Sequence, residues 1–184
     1  IAAHPGLNIV INNAGVALLG GFDEVDQAQM EWLININFWG VVHGTRAFLP
    51  HLSKQREAHI VNLSSSAGLT GMKGQSSYSA TKFAVRGLSE CLYIELAGTS
   101  VGITCVHPGA VATNILAAAR MESSHREKML RFFHMAMPAE KAARLIIRAV
   151  HKRRFKLVFC LDSRILDVLK RLAPVGTLTL MRWA

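Results

Sequence analysis

Hydrophobic and polar positions fall into blocks along this chain, and the spacing inside the blocks switches between two periods. Leu7-Asn8-Ile9-Val10-Ile11 is a short β-branched run that stops at Asn12-Asn13-Ala14-Gly15, which predicts a buried strand ending in a polar turn. Gly20-Gly21 marks a loop, and Asp23 and Asp26 then offer caps and early acids for a helix. From residue 27 to about 51, Met30, Leu33, Ile34, Phe38, Val41, Val42, Ala47, Phe48 and Leu49 recur at helical spacing. Asn35 and Asn37 interrupt this run. Their side chains compete for backbone groups inside a helix, so one of them is expected to mark a kink with a purpose.

Ala58-His59-Ile60-Val61-Asn62-Leu63 predicts a second strand, ending in Ser64-Ser65-Ser66-Ala67-Gly68. The next helix opens near Ser76, carries Phe83, Val85, Leu88, Leu92 and Leu96, and stops at Gly98. A third strand covers 101–106 and ends in His107-Pro108-Gly109. Residues 115–137 are rich in Met and Phe and less regular. Residues 138–148 predict an amphipathic helix, with Ala142, Ala143, Ile146 and Ile147 toward a core and Lys141, Arg144 and Arg148 outward. A fourth strand follows at 156–161. Asp162 is the expected cap of a last helix that ends before Pro174. Strands alternating with helices predict an α/β fold with a parallel sheet. Ligands bind such sheets at the carboxyl ends of the strands, where 12–15, 64–68 and 108–113 supply polar or glycine-bearing turns.

Composition narrows the class. With 184 residues, 51% hydrophobic and 18% charged, the chain reads as one globular domain with a real core. No apolar run approaches the ~18 residues of a membrane span. The start, Ile1-Ala2-Ala3-His4-Pro5, lacks the pattern of a secretory signal and reads as a processed or incomplete piece. Cys91, Cys105 and Cys160 are widely spaced and show no metal-ligand pattern, which predicts reduced thiols, a cytoplasmic setting and no metal site. The net charge of +9 is concentrated in the second half of the chain. Its densest cluster, His151-Lys152-Arg153-Arg154-Phe155-Lys156, reads as a solvated helix end, since no nucleic-acid motif accompanies it.

The chemistry concentrates in Ser76-Ser77-Tyr78-Ser79-Ala80-Thr81-Lys82. Tyr78 and Lys82 are one helical turn apart and share a face. The serines ahead of the tyrosine are expected N-caps. A phenol at a helix N-terminus beside an ammonium should be easier to ionise than free tyrosine, whose pKa is about 10. Taken alone, the pair is a weak signal.

Its companions make it stronger. Asn12-Asn13-Ala14-Gly15 after a strand, Asn37 in Asn-Phe-Trp-Gly, Ser65 thirteen residues before Tyr78, the Tyr78/Lys82 pair, and Pro108-Gly109 with Val111 and Thr113 stand in one order and spacing. In these residues the chain resembles the classical short-chain dehydrogenases/reductases, over nearly its whole length. The resemblance implies NAD or NADP as cofactor and interconversion of a secondary alcohol and a ketone. It implies Ser65, Tyr78, Lys82 and Asn37 as catalytic residues, with Tyr78 the general acid in reduction and the base in oxidation. It implies that Asn13, Ala14, Gly15, Tyr78, Lys82, Pro108, Gly109, Val111 and Thr113 line the cofactor cleft. His107, Asn12, Ser64 and Ser66 are expected to be structural.

The family's Gly-rich turn after its first strand, which receives the pyrophosphate at a helix N-terminus, has no counterpart here. The expectation is therefore a partial Rossmann-like domain over 1–184, holding only strands equivalent to 4-5-6-7 of the doubly wound parallel sheet. Its first strand should be an open edge, and the isolated chain should bind dinucleotide poorly. The segment after Thr113, with Ile115, Leu116, Met121, Met129, Leu130, Phe132, Phe133, Met135 and Met137, suits a bulky apolar substrate or a packed lid. Self-association through the two long helices is expected, and nucleic-acid binding is not. A non-catalytic association module is the alternative reading. Residues 178–183 are apolar with one cation, and sequence leaves open whether they meet a partner subunit or a membrane surface.

Overall fold

The computed structural model describes residues 4–115, 118–120 and 136–183. In chain order the strands are β1 (Ile9–Asn12), β2 (Ala58–Leu63), β3 (Val101–Pro108), β4 (Val111–Ala112), β5 (Met137–Pro138) and β6 (Lys156–Phe159). Four of them form one parallel sheet in the order β1-β2-β3-β6. The two-residue strands β4 and β5 pair separately, Val111 with Met137 and Ala112 with Pro138. The helices are α1 (Gln27–Ile34), α2 (Gly40–Leu52), α3 (Ser76–Glu95), α4 (Ala139–His151), α5 (Leu161–Leu172) and α6 (Pro174–Trp183). Parallel neighbours need a crossover, and α1–α2, α3 and α4 supply the three. This contiguous parallel sheet with flanking helices is the Rossmann-like arrangement that the alternating pattern predicts.

The strands alternate their faces. Ala58, Ile60, Val101 and Ile103 pack with Leu52 of α2 and Leu92 of α3, while Val61, Val106 and Phe159 pack with Ala142, Leu145 and Ile146 of α4. Among the described residues β1 pairs only with β2, which makes it an edge strand, and Ile9 and Ile11 are about half exposed. A polar tie crosses the sheet. Asn12 Nδ2 donates to Asn62 Oδ1 at 2.8 Å and to Thr45 Oγ1 at 3.2 Å, and Asn62 Nδ2 donates to Ser89 Oγ at 3.0 Å. Asn12 is therefore structural, as its sequence position suggests. Gly44 is required beside it, because a Cβ there would collide with the Asn12 amide.

Several expectations need correction. α4 turns Ala142, Leu145, Ile146, Ala149 and Val150 inward, whereas Ala143 and Ile147 are exposed. The small residues Ala142 and Ala149 let the helix approach the sheet on that stripe. Asp162 lies in the first turn of α5 and does not cap it; Cys160, at φ 73°, takes the N-cap position. Pro174 ends α5 and also begins α6, a helix absent from the sequence reading.

Candidate active site

Asp26 caps α1 in a reciprocal pair with Gln29, with Gln29 N donating to Asp26 Oδ1 at 2.7 Å and Asp26 N to Gln29 Oε1 at 3.2 Å. The helix then widens into a π-helical turn, Asn35–Trp39, before continuing as α2. The expected kink is this turn, and its buried residue is Asn37. Asn37 Oδ1 accepts from Val16 N at 2.9 Å, and its Nδ2 donates to Val16 O at 3.0 Å and to Thr81 Oγ1 at 3.2 Å. Its amide thus fastens the segment after β1 to α3. Thr81, which also donates to the Tyr78 carbonyl at 2.8 Å, is a residue that sequence reasoning passed over. Nothing but its place beside Lys82 marked it.

The loop after β2 is pressed onto α3. Ser64 Oγ donates to the Lys82 carbonyl at 2.8 Å, and Gly68 lies so close that a Cβ would collide with both groups. Ser65 is extended, and its Oγ accepts from Ala67 N at 3.2 Å, capping a short 3-10 turn, Ser66–Gly68. His107 reaches across from β3, with Nδ1 3.1 Å from the Ser65 carbonyl and Nε2 3.4 Å from Cys105 Sγ. A carbonyl only accepts, so Nδ1 carries the proton and Nε2 accepts from the thiol. Burial holds His107 down to about 4, which keeps the ring neutral near pH 7. His107 is structural, as expected, and the structure it holds is the backbone of Ser65.

Tyr78 and Lys82 occupy the first turns of α3, both nearly fully buried. The N-cap is Gln75, with no side-chain cap bond, so the serines preceding Tyr78 do not cap the helix as expected. Lys82 Nζ donates to the Leu63 carbonyl at 3.0 Å and stands 5.7 Å from the centre of the Tyr78 ring. Burial lowers Lys82 to about 8, with the neighbouring Cys105 acting weakly the other way. Burial also raises Tyr78, and a hydrogen bond from Ser65 only partly offsets it. This corrects the expectation of an acidified phenol: removing water from a phenolate outweighs the favourable local partners.

Gly15 completes the cluster. A Cβ built on it would lie 3.4 Å from both Lys82 Nζ and Asn37 Oδ1, so the missing side chain leaves space beside the ammonium. Asn13 and Ala14 are exposed just beyond β1. Pro108 ends β3, and Gly109 N donates to Phe159 O at 3.3 Å. Val111 is half-buried in β4, and Thr113 is exposed, its Oγ1 accepting from Ile115 N at 3.4 Å. The structure therefore brings Ser65, Tyr78, Lys82, Asn37 and Gly15 together, and sets the others along the ends of β1 and β3. Tyr78 also belongs to an apolar cluster with Ala17, Leu18, Leu33, Ala67 and Ala119, against which Val16, Met72 and Ile115 pack. Leu116, Met121, Met129, Leu130, Phe132, Phe133 and Met135 lie outside the described residues. Among the described residues no group of His, Cys, Asp and Glu is arranged to hold a metal ion.

The family model for short chain dehydrogenases matches residues 1–124. The chain belongs to the short-chain dehydrogenase family. It is 38% identical over 199 residues to "Putative oxidoreductase SadH" of Mycobacterium tuberculosis, a match covering 100% of this chain and 72% of that protein. It is 34% identical over 113 residues to the 3-alpha-(or 20-beta)-hydroxysteroid dehydrogenase of Mycobacterium bovis, covering 61% of this chain and 44% of that one. A crystal structure of a short-chain dehydrogenase/reductase from Burkholderia phymatum in complex with NAD superposes with a TM-score of 0.83 at 30% identity, covering 90% of this chain and 65% of that one. The chain thus spans between two fifths and three quarters of these relatives.

Proposed function

We propose that this domain carries out the proton-transfer part of an NAD(P)-dependent oxidoreductase that interconverts a secondary alcohol and a ketone. The observation that carries the reading is the convergence of Ser65, Tyr78, Lys82 and Asn37 on one buried cluster at the carboxyl ends of parallel strands. NAD or NADP, when bound, supplies or accepts the hydride. The residues present fit its nicotinamide end: Lys82 offers a buried donor, and the bare Gly15 leaves room next to it. Asn13, Ala14, Pro108, Gly109, Val111 and Thr113 are the further residues assigned to that cleft.

In the reducing direction Tyr78 gives its phenolic proton to the carbonyl oxygen, and Ser65 holds that oxygen by its hydroxyl. Burial keeps Tyr78 protonated at neutral pH, which suits the acid role. Lys82, still largely an ammonium near pH 7, stabilises the phenolate left behind. Asn37 holds the helix open at the π-helical turn beside Thr81, and is assigned to the proton path between Lys82 and solvent. The apolar wall around Tyr78, together with a steroid-acting relative, favours a bulky apolar substrate. Three free thiols suit a reducing, cytoplasmic compartment.

Residues 1–184 act as the nicotinamide half of the cleft, so the isolated chain should bind dinucleotide weakly. Titration with NADH and with NADPH by calorimetry tests this; micromolar affinity for either would show that the half-site suffices. A specific observation also favours self-association through the long helices. Trp39 beside α2, and Phe83, Tyr93 and Ile94 on α3, are exposed large apolar residues on those elements. Sedimentation velocity distinguishes a dimer from a monomer that would leave them in water.

A further inference from the structure

Leu161, Ile165, Val168 and Leu172 recur at spacings of four, three and four along α5, so they form one stripe. All four are exposed, Leu161 at 75% and Leu172 at 80%. Arg164 and Arg171 project beside this stripe by helical geometry and are themselves exposed. The packed α6 adds exposed Val175, Leu178, Leu180 and Trp183, with Arg182 next to the tryptophan. The other side of the pair faces the protein: Ser163 and Thr177 are buried, and Met181 Sδ receives a 3.7 Å hydrogen bond from Thr70 Oγ1. The two acids in this region offset the cations only in part, since neither forms an ion pair with Arg164 or Arg182 among the described residues. Asp162 lies at the start of α5 beside Gly109, and Asp167 is already paired with Lys156 and Arg171.

We propose that α5 and α6 form a docking surface for an anionic lipid bilayer. An apolar stripe flanked by arginines and closed by a tryptophan matches an interfacial helix, which buries its stripe at the level of the headgroups while its cations reach the phosphates. Charge complementarity selects this occupant over a second copy of the chain. A two-fold interface through the stripe sets the same cationic flank against itself, in the half of the chain that carries most of the positive charge. No helix among the described residues is long and apolar enough to cross a membrane. α5 touches the 3-10 turn that follows Ser65, so the helix that carries the stripe adjoins the candidate site through its inner side. The docking does not depend on the proposed reaction.

Co-sedimentation with vesicles tests it. The protein should pellet with phosphatidylcholine vesicles containing phosphatidylglycerol, and about tenfold more weakly with phosphatidylcholine alone. The double variant Leu172→Ser/Trp183→Ser, at two exposed positions, should weaken binding about tenfold, and Arg164→Gln/Arg171→Gln should remove the preference for anionic vesicles. Circular dichroism melts confirm that each variant is folded. Failure to pellet with either vesicle overturns the proposal, and so does binding that ignores both double variants. An oligomer that Leu172→Ser/Trp183→Ser dissociates, without vesicle binding, assigns the stripe to a second copy instead.

Discussion

Two helical regions of this molecule depart from polar-out, apolar-in in opposite senses. α3 buries Ser77, Tyr78, Ser79, Thr81, Lys82 and Ser89, while α5 and α6 leave leucines, an isoleucine, two valines and a tryptophan in water. The burial in α3 works against stability. A desolvated ammonium and phenol are tolerated because partners surround them: the Leu63 carbonyl for Lys82, the Ser65 hydroxyl for Tyr78, and Asn37 with the Tyr78 carbonyl for Thr81. The exposure in α5 and α6 costs the isolated fold little, since surface apolar atoms are ordinary and only their alignment is unusual. In α3 the fold gives up stability to hold chemistry; in α5 and α6 it leaves association unfinished.

The largest effect should come from the buried side of this comparison. In an active enzyme containing this chain, Tyr78→Phe should lower turnover about a thousandfold, because the group proposed to give up the proton is gone. The melting temperature should hold, since the ring and its apolar contacts remain. Near-normal turnover of Tyr78→Phe would remove the assignment. Lys82→Met should cost at least about a hundredfold in turnover, yet should not destabilise the fold. Lowering a lysine from 10.5 to about 8 corresponds to a penalty on the order of 3 kcal/mol for its buried charge. Losing the bond to the Leu63 carbonyl offsets part of that gain. The sign with pH is fixed: between about 8 and 10.5 the unfolded lysine holds a proton that the folded one has released. Wild type should therefore gain stability on Lys82→Met as pH rises through that window, by thermal melts. A variant that melts far lower at neutral pH would mean that Lys82 is held by more than the Leu63 carbonyl.

What the sequence disclosed of these two regions follows from which forces are local. β2 and β3 were legible because both their faces are buried, so they read as nearly continuous apolar runs. The pairing of Tyr78 with Lys82 was legible because one helical turn fixes it, and the interruption at Asn35 and Asn37 because asparagine is costly in a helix. The rise in Tyr78's pKa was not, since it depends on the apolar wall built by Leu18, Leu33 and Ala119 from distant parts of the chain. Nor was α6. Pro174 reads as a stop for α5, but proline is equally at home in the first turn of the next helix. Helical periodicity marks Ile165, Leu166, Val168, Leu169 and Leu172 as the apolar positions of that helix, yet it cannot say which of them turn inward and which outward.

His107 offers a smaller and more discriminating effect. Its ring hydrogen-bonds with the Ser65 carbonyl and the Cys105 thiol, so it positions the serine without a role at the reacting atoms. His107→Phe should lower kcat about tenfold by freeing that carbonyl, and His107→Gln, whose amide can donate to it, should recover part of the loss. The same ring predicts acid sensitivity. Its folded value of about 4 lies below the unfolded 6.5, so between those values the unfolded chain binds a proton that the native one refuses, and stability falls as pH drops through that window. By pH 5.5 the loss from His107 should be about 1 kcal/mol, and His107→Gln should remove that share of the acid loss, leaving the share of His59, which burial also holds down to about 4. An unchanged curve would mean that the ring is protonated in the fold.

The exposed side of the comparison should give the smallest effect, and its smallness is the point. Leu172 sits at the end of the α5 stripe with most of its surface in water. Removing its apolar side chain takes little out of the packed interior, so Leu172→Ser should change stability in dilute solution by no more than about 0.5 kcal/mol in denaturant melts. A leucine at a buried position such as Leu33, truncated in the same chain, should cost several times as much, on the order of 3 kcal/mol. If Leu172→Ser instead destabilised the protein by an amount near the buried value, and did so more strongly as protein concentration rose, the stripe would already be covered by another copy. The two helical regions would then differ only in where their partners come from, one from within the chain and one from outside it.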